Sequence, residues 1–404
     1  MAVSTPSGVQ DQAQPAGLDL PSRAASTAAQ RGPRTPVRVS LPKRTAGLLR
    51  RIPLPQAAKA LIGFDGFVDT ILHVVKSRQS PKKYERFEAM SEWSRHIAAA
   101  SGVSANFELV PQRVKLGGNG PIMANALLAL GLRVTCVGAL GQPSLHPVFA
   151  DFARRARIFS ICDPGQTDAI EFADGKLLCG KFSALSAMNW RNLVRRIPEP
   201  KLAALISESQ LIAVVNWTML IQLTGIMRKI LTRILPKIKG PRRWIFFDLA
   251  DPAKRSRADL RNALRLIGRY GQHARVILGM NLAEARQVAN VLGLGGIKEK
   301  RRDIADAATR IRKALNIDTA VIHPVGFAAA ADTISVGHVA GRACAKPKIA
   351  TGAGDHFNAG FCFGRIHGFD LAASLQMAVA ASGYYVRSGK SPTLRTLIRL
   401  LQSQ

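Results

Sequence analysis

The feature that most constrains the fold is an alternation of short apolar runs with helical patterns, which begins near residue 60 and continues to about residue 323. The apolar runs include Trp244–Asp248, 276–280 and 319–323, and an amphipathic segment over 258–268 separates the first two. Unbroken apolar runs predict strands buried on both faces, and helices between them predict parallel connections. The sequence therefore predicts an α/β protein with a mainly parallel central sheet covered by helices on both sides.

Two stretches depart from this alternation. Residues 82–100 place apolar side chains three or four positions apart, which predicts a helix. Asp174-Gly175 lies between two short alternating runs in 169–181, which predicts a β-hairpin. We interpret the hairpin as part of a small β lid formed by segments near 70–116 and 157–185; an ordinary edge hairpin is the alternative.

Composition excludes several classes of protein. The chain has 404 residues, of which 47% are hydrophobic, enough for one large domain or two ordinary ones. The five cysteines are an odd number and form no C-x-x-C pair, so a disulfide framework or zinc site is not expected and a reducing cytoplasm is favoured. No uninterrupted run of about 20 apolar residues is present, so no membrane association is expected.

The amino-terminal segment and the net charge stand apart from the rest of the chain. Residues 1–45 are rich in Ala, Pro, Ser, Gln and Arg and lack hydrophobic periodicity, which predicts a disordered basic extension before a domain at 46–404. Organellar targeting by this extension is the less favoured alternative to a cytoplasmic location. The net charge of +31 attracts polyanions, although a generally arginine-rich composition with a solvated basic surface is the favoured explanation.

The segment 349–361 holds the clearest chemical signal. Gly352 and Gly354 allow a tight turn around Ala353, and a helical pattern follows at once. Exposed N–H groups at a helix N-terminus bind anions, and Asp355 lies where that anion would be. An aspartate facing a phosphate is repelled unless it has another role, and accepting a proton from a substrate hydroxyl is such a role. A simple N-cap aspartate is the alternative.

The string from Thr351 to Gly360 resembles, without a gap, the second hallmark motif of the ribokinase-like (PfkB) carbohydrate kinases. This resemblance implies a three-layer α/β sandwich with a β lid. It also implies that Asp355 is the catalytic base, that the turn 352–354 binds the transferring phosphoryl group, and that Thr351 lies on the nucleotide side. The family's nucleotide strand is altered here, because His323 replaces a Thr or Ser and only Gly326 of its two glycines remains.

The family's first hallmark, a di-glycine turn followed by a helix of small residues, is similar to residues 117–131. By this resemblance Gly118, Asn119 and Asn125 contact the phosphate acceptor. Family members also place an acceptor-binding aspartate after the first strand, where Asp69 is the first choice and Asp65 the second, since a carboxylate accepts two hydrogen bonds from neighbouring hydroxyls.

Two weaker similarities concern the phosphates. Residues 281–284 resemble the family's N-x-x-E element, which implies that Asn281 and Glu284 hold Mg²⁺, often through water. An ordinary capping box is the alternative. Residues 248–255 resemble a D-x-N-x-R run in which the Asn is replaced by Ala, while Arg255 keeps its place near the nucleotide.

Together these observations predict ATP-dependent phosphorylation of a hydroxyl on a sugar or sugar-like molecule, with Mg²⁺ and an optional monovalent cation as cofactors. A nucleoside kinase of the same fold is one alternative, and a non-catalytic kinase-like scaffold that binds nucleic acid is another. The expected partner is a small molecule, nucleic acid is not favoured, and a homodimer is one option for the assembly.

Overall fold

The structure is a computed structural model that describes residues 40–54, 58–342 and 344–404. Most of the predicted extension therefore lies outside the described residues. Residues 41–45 do not belong to it: they form the first half of a helix, Leu41–Arg50, in which Thr45 and Leu49 are buried. The prediction of an extension through residue 45 was wrong there, because the apolar face of this short basic helix is covered by two helices from the distant carboxyl-terminal end, Leu371–Ser388 and Leu394–Gln402.

The described strands form two sheets. In chain order they are β1 (Lys59–Gly63), β2 (Phe67–Ser80), β3 (Lys83–Arg86), β4 (Leu109–Gly117), β5 (Arg133–Ala139), β6 (Arg157–Cys162), β7 (Gly165–Phe172), β8 (Gly175–Lys181), β9 (Leu211–Val214), β10 (Trp244–Asp248), β11 (Arg275–Met280), β12 (Thr319–Ile322), β13 (Phe327–Ala331) and β14 (Val336–Ala340).

The described helices precede, connect and follow these strands. They are α1 (Leu41–Arg50), α2 (Met90–Ala99), α3 (Asn119–Ala129), α4 (Ala150–Ala153), α5 (Trp190–Arg196), α6 (Glu199–Glu208), α7 (Leu223–Lys229), α8 (Arg257–Tyr270), α9 (Leu282–Leu292), α10 (Arg301–Leu315), α11 (Ala353–Ile366), α12 (Leu371–Ser388) and α13 (Leu394–Gln402). A π-helical turn (Ile230–Ile234) and a 3₁₀ turn (Leu235–Lys237) continue α7.

The large sheet confirms the predicted α/β class. Its nine strands have the order β14-β13-β12-β11-β10-β9-β1-β5-β6. Seven neighbouring strands of this order, β12-β11-β10-β9-β1-β5-β6, are parallel, and β13 and β14 add an antiparallel edge. Two separate hydrophobic cores, one on each face, bury the central strands between helical layers. The carboxyl ends of all the parallel strands therefore meet at one edge, where ligand sites of open α/β sheets form.

The second sheet is the predicted lid. It has the order β3-β2-β7-β8, and β4 pairs with β2. The β7–β8 pair is the hairpin predicted around Asp174-Gly175. Its segments are 67–117 and 165–181, because β6 joins the large sheet beside β5. The helix predicted over 82–100 was wrong in its first part: residues 83–86 are β3, and only 90–99 are helical.

The helix pair α11 and α12 supports the candidate site from behind and meets at Gly360. A Cβ at Gly360 would lie 2.9 Å from the Cα of Ala378 and 3.0 Å from the Cβ of Ala381. One of these atoms is in the backbone of α12 and the other is bonded directly to it. Neither can move away without shifting the helix.

Replacing Gly360 by Ala should therefore lower the free energy of unfolding by about 1–3 kcal/mol, as overpacking does in a close-packed core. Gly225→Ala is the matched control, because this glycine is also helical and a Cβ there meets nothing within 4 Å. The control should gain up to about 1 kcal/mol from the better helix propensity of Ala. Denaturant unfolding of both variants checks the prediction, and equal shifts would contradict it.

Candidate active site

The candidate site is built where the first strand of the large sheet ends. The Asp65 carboxylate follows β1 and is buried, and it accepts three hydrogen bonds. The backbone N–H groups of Asn119 and Gly120 donate to it at 2.8 and 2.7 Å, and the side-chain amide of Asn216 donates at 2.8 Å. Asp65 thus satisfies N–H groups at the start of α3 that the helix itself leaves unpaired. Burial raises the pKa of Asp65 to about 6.

The two predicted glycine turns meet at one pair of side chains. The Nδ2 of Asn119 donates a hydrogen bond of 2.9 Å to Oδ1 of Asp355. Gly118 precedes α3 with φ of 97°, and a Cβ there would lie 3.0 Å from Oδ2 of Asp65, so glycine is required on both counts. The structure therefore brings together Asp65, Gly118, Asn119 and Asp355, although more than 200 residues separate the last two.

Asp355 occupies the first turn of α11, as predicted. The preceding Gly352 is left-handed, with φ of 92°, and begins the helix. Burial raises the pKa of Asp355 to about 8, and the negative charges of Asp65 and Glu284 add to this, while the hydrogen bond from Asn119 opposes it. A raised pKa makes the ionised carboxylate a stronger base, which suits it to accept a proton from a hydroxyl once it is deprotonated.

Asp69 lies on β2, directly opposite Lys115 of β4 in the lid. Its carboxylate is buried, and the ammonium of Lys115 is 3.8 Å away. The side chain of Thr167 also donates a hydrogen bond to it. The Asp69 carboxylate packs directly over the Cα of Gly117, leaving no space for a Cβ there. Asp69 thus links the lid to the di-glycine turn, while Asp65 lies beneath that turn.

Asn125, which is also predicted to contact the acceptor, is hydrogen-bonded to an arginine. Its Oδ1 accepts a hydrogen bond of 2.6 Å from Arg155, which follows α4. The structure records no hydrogen bond between its side chain and those of Asp65, Asp69 or Asp355 among the described residues. A role of Asn125 in binding the acceptor remains a prediction.

Two further buried carboxylates, Asp248 and Glu284, lie near Asp355. Burial raises the pKa of Asp248, at the end of β10, and the negative charges of Glu284 and Asp355 raise it further. Burial likewise raises the pKa of Glu284, whose two oxygens accept the backbone N–H groups of Asp251 and Asn281. The Oδ1 of Asn281 accepts from the Glu284 N–H, so these two residues form the capping box foreseen as the alternative.

Two oxygens among these groups lack a partner. Oδ1 of Asp248 and Oδ1 of Asn358 are buried, and neither accepts a hydrogen bond from any described residue. Among the described residues, no cluster of three or more His, Cys, Asp or Glu is arranged for a metal ion. Mg²⁺ needs less than that, because it binds through one or two carboxylates and keeps several waters. The unpartnered oxygens beside Glu284 therefore fit Mg²⁺ with water.

Backbone strain is concentrated at the same edge of the sheet. Asn216, Ala250 and Asp251 follow β9 and β10 with φ between 55° and 62°, in the left-handed region that such residues seldom adopt. Residues held in this region cluster at functional sites. Arg255 lies beside them, with its guanidinium 4.4 Å from the ring centroid of Trp217. The site therefore includes Asn216, which the sequence analysis missed because it follows an ordinary buried strand.

The residues predicted for the nucleotide side make fewer contacts with the rest of the site. Thr351 lies immediately before the turn 352–354, and its carbonyl accepts a hydrogen bond from Tyr385. Gly326 lies in the turn between β12 and β13, where its carbonyl accepts the N–H of Gly341. His323, at the end of β12, packs against Phe357 and approaches Gly354, and burial lowers its pKa to about 4. The imidazole is therefore neutral at pH 7.

A second pair of side chains, also missed by sequence reasoning, holds the backbone at Thr351 and Gly352, just before α11. The rings of His356 and Tyr385 are stacked with centroids 3.6 Å apart. Nδ1 of His356 donates to the Gly352 carbonyl at 2.8 Å, and Nε2 accepts from the Ser391 hydroxyl at 2.9 Å. Because Tyr385 bonds the neighbouring Thr351 carbonyl at 3.1 Å, two consecutive carbonyl groups are fixed. Burial lowers the pKa of His356 to about 4, so this tautomer persists at neutral pH.

An open α/β sheet, a β lid and a buried acid at a helix start beside a di-glycine turn define a ribokinase-like kinase. The model of the prokaryotic ketohexokinase family matches residues 48–404, and the chain belongs to this family. It is therefore a carbohydrate kinase, which transfers a phosphoryl group from ATP to an alcohol group.

Known proteins agree with this assignment. The ketohexokinase of Haloferax volcanii is 26% identical over 358 residues, covering 88% of this chain and 91% of the relative. A carbohydrate kinase from Agrobacterium tumefaciens has a TM-score of 0.57 at 19% identity, covering 85% of this chain and 97% of its own. Arabidopsis thaliana ribokinase, solved with ribose and ATP, has a TM-score of 0.57 at 14% identity, with 85% and 98% covered. At these identities the solved structures show the fold alone.

The stacked rings of His356 and Tyr385 lead to a testable prediction about the turn 352–354. Tyr385→Phe removes the hydrogen bond to Thr351 and keeps the stacked ring, so the free energy of unfolding should fall by only about 1 kcal/mol. Turnover should fall about three- to tenfold, because small displacements of a catalytic group are costly. Tyr384→Phe is the matched control, since the hydroxyl of this half-buried neighbour makes no hydrogen bond with any of the described residues. Steady-state kinetics test this, and equal turnover in both variants would contradict it.

Proposed function

We propose that the chain phosphorylates a hydroxyl of a ketohexose, with Asp355 as the base that accepts the hydroxyl proton. The observation that carries the proposal is the hydrogen bond between Asn119 and Asp355, which joins the acceptor turn to the phosphate-binding helix start. Asp69 and Gly118 border the same region and would position the sugar hydroxyls. The N–H groups of Gly352, Ala353 and Gly354 would stabilise charge on the transferring phosphoryl group.

The residues around the acceptor turn favour a sugar over a nucleoside. Phe64 and Phe67 lie on either side of Asp65 in the sequence, and both are buried, at 3% and 5% exposure. Phe67 packs edge-on against Phe182, with ring centroids 5.6 Å apart. Neither ring is therefore free to stack on a base. Asp69, Asn119 and Thr167 offer the polar groups that hydroxyls bind.

The cofactor and assembly predictions are supported to different degrees. Glu284, together with Asp248, would hold Mg²⁺ through water, and the ion supplies charge neutralisation to the phosphates when bound. The structure offers no separate support for a monovalent cation, which stays a prediction. Exposed apolar side chains on the lid support a homodimer: Val114, Leu177 and Leu178. No helix of the described residues has the length and apolar character for crossing a membrane; a cytoplasmic location stays a prediction.

The base assignment is tested by Asp355→Asn, which keeps the shape of the side chain and removes its basicity. A positioned base contributes about 10²–10⁴ in rate, so phosphoryl transfer to a ketohexose should fall by at least this factor. Thermal stability and ATP binding should be retained. A coupled assay of ADP release over ketohexoses, aldoses, sugar acids and nucleosides measures both the acceptor and the loss. Near-normal turnover in the variant would remove Asp355 as base, and a preference for nucleosides would overturn the acceptor.

The raised pKa of Asp355 predicts the pH dependence. The base is inactive when protonated, so kcat/KM, which reports on the free enzyme, should fall as the pH decreases through about 8. Asn119→Ala removes the hydrogen bond that lowers the pKa of Asp355. The acidic limb of the profile of kcat/KM against pH should therefore move to higher pH. Asn125→Ala is the control, because its side chain pairs with Arg155 and the limb should not move. Identical profiles in all three proteins would contradict the role of Asn119.

A further inference from the structure

The positive charge of the chain is concentrated in one segment. Between Arg228 and Arg275 the sequence has 14 Lys and Arg against three Asp, a net +11 of the total +31 in 48 residues. The charge per residue is about four times that of the remaining chain. A general richness in arginine would spread the charge evenly, so composition alone does not explain this segment.

Within the segment, four arginines form a ladder along α8. Arg257, Arg261, Arg265 and Arg269 recur every four residues, and all four are exposed. Successive members are therefore about 6 Å apart along the helix axis, and the ladder is about 18 Å long. Like charges at this spacing destabilise a helix. The one acid of the helix, Asp259, faces Arg255 instead, at 3.5 Å. The ladder thus carries a repulsion that a bound anion would relieve.

A groove runs beside this ladder. It has a volume of about 700 Å³, and Arg261, Arg265 and Arg269 form one wall of it. Residues of α9 and the end of α10, including Val291 and Asn316, form the other. The groove extends toward Gly271, just before the amino end of β11, whereas Asp355 and Asp248 lie at the carboxyl edge of the sheet. Occupation of the groove would therefore leave the catalytic site open.

The neighbouring surface is also basic. The hydroxyl of Tyr270, at the end of α8, donates to the carbonyl of Met227, which packs α7 against α8. The chain that follows α7 contributes Lys237 and Lys239, while Arg233 is paired with Glu199 at 2.8 Å. Arg242 donates to the carbonyl groups of Gly271 and Ala274, just after the end of α8. This segment therefore adds positive charge next to the carboxyl end of the ladder.

The character of this face selects among polyanions. None of the described residues from 228 to 275 is an exposed large apolar side chain, which disfavours insertion into a lipid surface. The aromatic residues Trp244, Phe246, Phe247 and Tyr270 are buried, so no ring is available to stack on an unpaired base. A duplex presents only its phosphates to such a face, and arginine forks fit phosphate oxygens.

We propose that the arginine ladder of α8 and its groove bind double-stranded nucleic acid through the phosphate backbone, without reading its sequence. The contact accompanies kinase activity rather than replacing it, because the ladder lies outside the residues placed in the catalytic site. It also differs from a scaffold function, since Asp355 and its partners are intact.

The test compares two fourfold variants of the full chain in binding a short DNA duplex of mixed sequence. The ladder variant carries Arg257→Gln, Arg261→Gln, Arg265→Gln and Arg269→Gln. The matched control carries Lys43→Gln, Arg50→Gln, Arg395→Gln and Arg399→Gln, which removes the same charge from exposed positions of α1 and α13 on the other face of the sheet. Fluorescence anisotropy measures the affinity from about 50 to 200 mM salt.

The wild-type protein should bind with a steep salt dependence. The ladder variant should lose at least about tenfold in affinity, and its slope of log K against log salt should become less negative by about 3.6, which corresponds to four lost phosphate contacts. The control should lose less than about threefold. Kinase activity should be unchanged in both variants. The melting temperature of the ladder variant should not fall, because the substitutions relieve repulsion between the arginines.

Three outcomes would overturn the proposal. The first is no duplex binding by the wild-type chain at the lowest salt concentration. The second is an equal loss in the ladder and control variants, which would show an effect of total charge alone. The third is equally tight binding of polyglutamate, inorganic polyphosphate, anionic vesicles or a single-stranded oligonucleotide at the same salt concentration, which would assign the face to another partner.

Discussion

The buried carboxylate of Asp65 is the interaction on which the active site depends. It ends β1, pairs with the start of α3 through two backbone N–H groups, and receives the side chain of Asn216 from the end of β9. Three separate parts of the chain thus meet at one acid. It also holds the di-glycine turn, because Asn119 donates its backbone N–H to Asp65 and its side-chain amide to Asp355. Removing one partner of such a network leaves the others buried without hydrogen bonds.

Negative charge is the second constraint on the site. Asp65, Asp248, Glu284 and Asp355 are all buried at the carboxyl edge of the sheet, and each has a raised pKa. Hydrogen bonds from N–H groups partly offset the cost of burying the charges of Asp65 and Glu284. One oxygen of Asp248, by contrast, has no partner among the described residues. Helix starts and a cation would balance this charge when phosphates are bound. An acid whose pKa is raised by its neighbours is suited to proton transfer, and the same arrangement that destabilises its charged form also makes it basic.

Sequence patterns predicted much of this arrangement and missed specific parts of it. Asp355, Gly118 and Asn119 were foreseen because a turn glycine and a helix start leave a local signal. Asn216, His356 and Tyr385 were missed, since each follows an ordinary strand or lies within a helix and acquires its role only from a distant partner. The split of 82–100 into β3 and α2 was missed for a similar reason: the pairing of β3 with β2 overrides a helical periodicity. The pairing of Asn125 with Arg155 leaves no local signal in the sequence either, and the role of Asn125 in binding the acceptor stays a prediction.

The sequence by itself determined the α/β class, the lid hairpin and the acid at the phosphate-binding turn, because hydrophobic period, glycine turns and helix starts are encoded by neighbouring residues. Tertiary structure alone decided which polar groups meet. Burial sets the pKa of Asp355, and the contact with Asn119 joins residues 236 positions apart. The arginine ladder belongs to both levels: its four-residue spacing is visible in the sequence, while its place beside a groove and away from the catalytic edge follows from the packing of α8 against α9 and α10. Local chemistry can be read in order along the chain, whereas charge, burial and partnership depend on which surfaces the fold brings together.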